Sequence, residues 1–228
     1  MRSQQEQIKR DVVDQLFWDT RIDASDVTVT VSDGEVQLSG SLPSYAARKA
    51  AQKDALQVRG VSRVIDNTTI QTPAEVQKPS DDDILINITN LLKWSASIAI
   101  TDIDVSVNRG VVTLRGAVDM YWKKRKAEEL AYEVVGVTGV ENQLVVTPSK
   151  TQVDRSIAEE ISAALRRLGQ VDLEDITITV DEGIVTLEGR VPDGVTMFKV
   201  MYAAEYTSGV VGVVNKMEID TSMTVRTD

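Results

Sequence analysis

The 228-residue chain contains neither cysteine nor histidine. Without cysteine there are no disulfides and no thiolate metal ligands, although this absence does not choose a compartment. Without histidine the commonest general base is missing as well, and no Gly-rich phosphate loop or closely spaced zinc-type ligand set takes its place. The residues therefore point to no catalytic group, no metal and no cofactor. No apolar run approaches the roughly 18 residues that a membrane-spanning helix needs, and the start Met1-Arg2-Ser3-Gln4-Gln5-Glu6 lacks the apolar stretch of a secretion signal. A chain that begins naturally at Met1 is expected in the cytoplasm; one trimmed of a signal peptide is expected in the periplasm.

An excess of cations is also lacking. Lys plus Arg against Asp plus Glu stand at 9 against 10 over residues 1–71, 9 against 11 over 72–150 and 7 against 14 over 151–228, so most of the net −10 falls in the last third. That third repels a polyanion and no basic stripe runs along the rest, so nucleic acid is not an expected partner. At 42% hydrophobic and 26% charged residues, the chain nevertheless has enough apolar surface to fold.

What is present is repetition. Asp26-Val27-Thr28-Val29 with Gly34, Val36, Leu38 and Gly40 returns 76 residues later as Asp102-Ile103-Asp104-Val105 with Gly110, Val112, Leu114 and Gly116. A further 73 residues on it is Asp175-Ile176-Thr177-Ile178 with Gly183, Val185, Leu187 and Gly189. Gly60-Val61, Gly136-Val137 and Gly209-Val210 keep the same offsets, which marks a tandem array of small domains.

Each unit opens with apolar residues four apart: Ile8, Val12 and Leu16; Ile84, Ile88 and Leu92; Ile157, Ile161 and Leu165. That spacing places them on one face of an amphipathic helix. Strict alternation then predicts two short strands around a turn that contains Gly34, Gly110 or Gly183. A second helix follows, carrying Ala51 and Ala55, Ala127 and Ala131, or Val200 and Ala204. It is expected to end in a left-handed glycine cap at Gly60, Gly136 or Gly209. A third strand completes the unit. The Val/Ile/Leu face of the hairpin is opposed by Thr28, Thr30, Gln37 and Ser39, so both helices are expected on one side of the sheet with the other side wet. The expected class is α+β: three tandem αββαβ domains, each a three-stranded mixed sheet with two helices on one face, over residues 5–71, 80–147 and 152–220. The Pro-containing segments 72–80 and 147–150 read as linkers. A unit this small buries only about 60% of its unfolded surface, so packing between units is expected to add stability.

The acidic residue before the first strand, the hairpin Gly, the Val-x-Leu-x-Gly strand, the Gly-Val after the second helix, and Val followed by Asn142, Asn215 or Asp66 resemble the BON domain of bacteria, in three full copies. The resemblance implies an OsmY-like osmotic-stress protein, usually of the cell envelope. Family members are proposed to contact phospholipid membranes or envelope proteins, and one cytoplasmic type binds potassium.

The segment Tyr121-Trp122-Lys123-Lys124-Arg125-Lys126, at the start of a second helix, is the most distinctive. Four cations there oppose the helix dipole, and Trp and Tyr beside Lys and Arg suit a lipid headgroup layer. One reading is contact with an anionic phospholipid surface or an acidic protein partner. The other is a solvated helix face, with Glu128 and Glu129 offsetting the cations and Trp122 packed on a neighbouring unit. Trp18 and Trp94 share one repeated position and read as core or inter-unit packing. Asp26, Asp102 and Asp175 read as side-chain turn caps. The leading functional reading is a non-enzymatic, stress-related binding protein acting through its surfaces. The alternative is a cytoplasmic sensor of potassium or calcium held by backbone carbonyls.

Overall fold

A computed structural model of the chain describes residues 2–71, 78–95, 103–149, 152–168 and 175–223. Three αββαβ units follow one another. The first comprises α1 (Arg2–Trp18), β1 (Val27–Ser32), β2 (Glu35–Leu42), α2 (Tyr45–Gln57) and β3 (Arg63–Ile70). The second comprises α3 (Asp81–Trp94), β4 (Ile103–Asn108), β5 (Val111–Val118), α4 (Tyr121–Tyr132) and β6 (Gly139–Val146). The third comprises α5 (Asp154–Leu168), β7 (Ile176–Asp181), β8 (Ile184–Val191), α6 (Gly194–Glu205) and β9 (Gly212–Ile219). In each sheet the middle strand is the second one, antiparallel to the first and parallel to the third.

The expected faces are the observed ones. Ile8, Val12 and Leu16 of α1 are buried against Val36 and Leu38 of β2 and Ala47, Ala51 and Ala55 of α2, and the other two units repeat the pattern. Thr28, Thr30 and Gln37 on the opposite face are exposed. At the hairpins both central residues take positive φ, Asp33 at 50° and Gly34 at 81° for example, the backbone of a two-residue hairpin turn of the primed kind. Arg109 and Glu182 occupy this conformation without the local side-chain help that Asp enjoys. Help comes from the first turn of the preceding first helix. The Asp81 carboxylate accepts from the amides of Arg109 and Gly110 at 2.7 and 2.9 Å, and Asp154 accepts from those of Glu182 and Gly183 at 3.0 and 2.9 Å. In the first unit Gln5 stands at this position and its side-chain amide donates to Asp33 at 3.3 Å.

Three expectations need correction. The second helices end before the glycines: α2 stops at Gln57, and Gly60 (φ 90°) sits inside a separate turn closed by the Val61 amide on the Val58 carbonyl at 3.1 Å. The recurrent acid before the first strand serves through its backbone. The Asp26 and Asp175 carbonyls accept from Ser41 and Arg190, at 3.4 and 3.1 Å, and press against Gly40 and Gly189 so closely that a Cβ there would lie 1.9 or 2.0 Å from the oxygen. Asp102 lies outside the described residues. Last, Trp18 and Trp94 are not packed: they are 77% and 86% exposed. Each is two residues beyond the last buried leucine of its helix, Leu16 or Leu92, and two residues turn a helix by about 200°, onto the outer face.

Gly189→Ala combines that close approach with a φ of 137° and is expected to lower the unfolding free energy in urea by about 2 kcal/mol or more. Trp18→Ala and Trp94→Ala are expected to leave it within about 0.5 kcal/mol of the parent.

Candidate functional site

The three units meet through their second helices, and they meet at repeated positions. Tyr45, Tyr121 and Gly194 open α2, α4 and α6, while Leu56, Tyr132 and Glu205 lie at equivalent places in the last turns. Tyr45 packs on the core of the second unit, its ring 6.0 Å from that of Tyr132. Tyr121 packs on the core of the third unit, and the next turn of its helix sends Arg125 Nε to within 3.4 Å of Glu205 Oε1. Gly194 lies so close to Leu56 that a Cβ would stand 2.1 Å from the Leu56 carbonyl oxygen, and Leu56 packs against the cores of both units. The start of each second helix thus meets the end of the next unit's, and the third returns to the first. A head-to-tail contact that closes after three steps is a ring, and equivalent positions stand at one level around it.

This ring accounts for most of the segment from Tyr121 to Lys126. Trp122 stacks on Tyr206 of the third unit, with centroids 5.8 Å apart and planes 10° from parallel, and its indole N–H reaches Met120 Sδ at 3.1 Å. Arg125 is shared between Glu128 at 3.1 Å and Glu205, and its guanidinium is held above its ordinary pKa by Glu128 and Glu205 against the cost of burial. Burial pushes the carboxyl of Glu205 up, opposed by Arg125. Lys123 pairs with Asp119 at 2.7 Å and Lys126 with Glu129 at 3.3 Å. The backbone carbonyl of Lys124 accepts from Asn142 at 2.8 Å, tying helix to third strand. Asp66 makes the corresponding tie in the first unit, accepting from Arg48 and Gln52 of α2 and from Thr68 of its own strand. Asn215 keeps both halves, its side-chain amide donating to Met201 Sδ of α6 at 3.5 Å and its side-chain carbonyl oxygen accepting from the Met217 amide at 2.9 Å.

The glycines chosen from the sequence lie in one adjacent pair per unit: Gly34, Gly110 and Gly183 at the hairpin tips each sit beside the carbonyl of Gly60, Gly136 or Gly209 in the turn after the second helix. They form no common site. The exposed aromatics that sequence spacing misassigned do share a place. Phe17, 77% exposed, touches Trp18 edge-on at the end of α1; Lys93 and Trp94 stand at the same positions of α3, and Arg166 and Arg167 at those of α5. All six side chains are exposed. One level of the ring therefore carries three uncovered aromatic rings and three cations, and among the described residues none of these cations is in an ion pair. Among the described residues, too, no three acidic side chains gather as a metal would require, and no helix is long and apolar enough to cross a membrane.

A buried acid lies behind this level. Asp54, only 6% exposed, occupies the place of Leu130 and Ala203 in the other units. Its carboxyl is pushed up to about 6, first by burial and then by the hydrogen bond shared with Asp19. The Arg21 guanidinium, bound to Asp19, holds the Asp19 carboxyl well below the usual range. Asp54 is thus the member of the pair that takes up a proton, below about pH 6, and then donates to the ionised Asp19.

The family model described as BON domain matches residues 4–72, 80–148 and 153–221. No curated protein sequence matches the chain. Among solved structures, CdsD, a structural protein of the type III secretion system of Chlamydia trachomatis, is similar at 14% identity, covering 94% of this chain and 91% of its own, with a TM-score of 0.26. The periplasmic domain of the type III secretion inner-membrane protein PrgH from S. typhimurium is similar at 12% identity, covering 91% of this chain and 100% of its own, with a TM-score of 0.22. Likenesses at these scores carry no argument about what the chain does.

Asp54 generates a pH dependence. A carboxyl whose folded pKa exceeds its unfolded value binds more protons in the native state between the two, so stability falls as pH rises from about 4 through about 6. Urea unfolding across that window is expected to show the fall. Asp54→Leu, which installs the residue of the second unit, is expected to flatten it and to raise stability at pH 7.

Proposed function

The chain belongs to the BON domain family over three consecutive units, and from that premise we propose that it is a non-catalytic envelope protein that docks on an anionic phospholipid surface through the first-helix ends of its ring. The observation that carries this reading is the uncovered set Phe17, Trp18 and Trp94, at two adjacent repeated positions and in company with Lys93, Arg166 and Arg167. Large aromatic rings with an apolar body and a polar edge favour the headgroup layer, and each cation close to an anionic surface contributes about 1 kcal/mol. Standing at one level, these groups can meet a flat surface together, so weak contacts act at high effective concentration.

The net charge of −10 works against approach, but it is concentrated on the third unit and screened beyond about 10 Å at 0.1 M salt. Local composition at the helix ends therefore decides the contact. The start of α4 is a second source of cations for the same surface: Lys124 has no ion pair among the described residues and Lys126 holds its own at the protein surface, whereas Lys123 is mostly covered.

Vesicle flotation tests the proposal. The full chain is expected to float with vesicles that contain an anionic phospholipid and to stay down with purely zwitterionic ones. The triple variant Phe17→Ser, Trp18→Ser, Trp94→Ser is expected to lose about tenfold or more of the binding while keeping its melting temperature. Lys123→Glu with Lys124→Glu is expected to weaken it less. Absence of the parent protein from both vesicle types would overturn the reading in favour of a protein partner. Loss in the lysine variant alone would move the contact to the start of α4.

A further inference from the structure

The three joints of the ring are alike in position but not in connection. Linkers tie the first unit to the second and the second to the third, whereas the third and first units, at opposite ends of the chain, are joined only by contact. That contact includes Leu56 lodged between two cores, the close approach at Gly194, and the Lys53 ammonium over the Phe198 ring at 5.7 Å. Beside it runs a cleft of about 340 Å³, between Gln4, Gln7 and Arg59 of the first unit and Pro192, Asp193 and Met223 of the third, so the two surfaces meet over only part of their facing area.

We propose that the third unit is exchanged between copies: the third joint is a latch whose opening, together with that of the joint between the second and third units, frees the third unit while every unit stays folded. The freed unit then closes the ring of a second copy, giving an exchanged dimer. The second copy is the fitting occupant because the joint is head-to-tail. One half, the start of α6, complements only the other half, the end of α2, and an opened chain carries one of each. Within one chain the linkers supply the closing half at high effective concentration, so the closed monomer prevails in dilute solution and exchange is favoured where chains are crowded.

Gly194 offers a clean way to break the joint. Tyr45 and Tyr121 occupy its position in the other units, so a tyrosine suits the start of the helix, yet any Cβ at Gly194 collides with the Leu56 carbonyl. Deleting Ser149, Lys150 and Thr151 acts differently, since it strains closure within a chain and leaves both halves of the joint intact.

Size-exclusion chromatography with light scattering reads the result. The parent chain, taken through partial unfolding in urea at about millimolar concentration and returned to buffer, is expected to yield a fraction at twice its 25.0 kDa mass. The deletion variant is expected to be mostly dimer without that treatment. Adding Gly194→Tyr to either is expected to remove the dimer and leave a monomer of larger radius, with the circular dichroism of folded units. A parent that returns only as monomer overturns the proposal, as does a dimer that survives Gly194→Tyr.

Discussion

Each unit has a one-sided core, and everything else in the molecule follows from the need to cover the ends of that core. Two helices lie on one face of three strands, and the buried set is built chiefly on three aliphatic residues from the first helix, three from the middle strand, and alanines with Leu130, Met197 or Val200 from the second helix. Alanine at Ala51, Ala55, Ala127 and Ala131 lets the second helix sit close to the sheet, but it contributes little apolar area of its own. The residue that opens this helix and the one in its last turn are left over the edge of the unit. Partners for them come from the next unit, and because every unit has the same two loose ends, the arrangement closes into a ring.

Closure by equivalent positions does not require equivalent chemistry. Tyr45 with Tyr132 is an aromatic pair in which burial pushes the Tyr132 hydroxyl up to about 12. Arg125 with Glu205 is a half-buried ion pair flanked by the Trp122–Tyr206 stack. Gly194 with Leu56 has no side chain on one partner and admits backbone contact instead. A buried charge without its partner is costly, so Arg125 also disfavours the wrong neighbour: set against Leu56 or Tyr132 it would lose Glu205 and keep only Glu128. The differences between the joints thus fix the order of units around the ring.

Much of the fold was legible in the sequence because it rests on local periodicity. The four-residue spacing of Ile8, Val12 and Leu16 and the alternation around Val29, Val36 and Leu38 assign faces without knowledge of any distant residue. What escaped was of two kinds. Some roles belong to the backbone, as with the Asp26 carbonyl pressed on Gly40, where the side chain that drew notice is incidental. Others depend on contacts between units, as with Tyr121, Trp122 and Arg125, whose composition suits a lipid surface and an inter-unit joint equally well. The misplacement of Trp18 and Trp94 was avoidable: counting from Leu16 and Leu92 puts them on the outer face. The signal for the joints was present too, in the variation from Tyr45 to Tyr121 to Gly194, but only a structure says which position it answers.

Divergence at one further position links the ring to its exposed edge. Asp54 stands where the second and third units bury Leu130 and Ala203, and in ionised form it pays desolvation that neither of them does. Its partner Asp19 directly follows Trp18, and Arg21, which clamps Asp19, lies within electrostatic reach of Tyr132 across the first joint. The same few residues therefore connect the buried acid, the end of α1 with its uncovered Phe17 and Trp18, and the seam between the first two units. A hydrophobic residue at position 54 would stabilise the unit but would sever that connection. Retaining an acid there is unfavourable for the core alone, and its effect is to couple the charge state of one buried group to the part of the surface that carries the exposed aromatics.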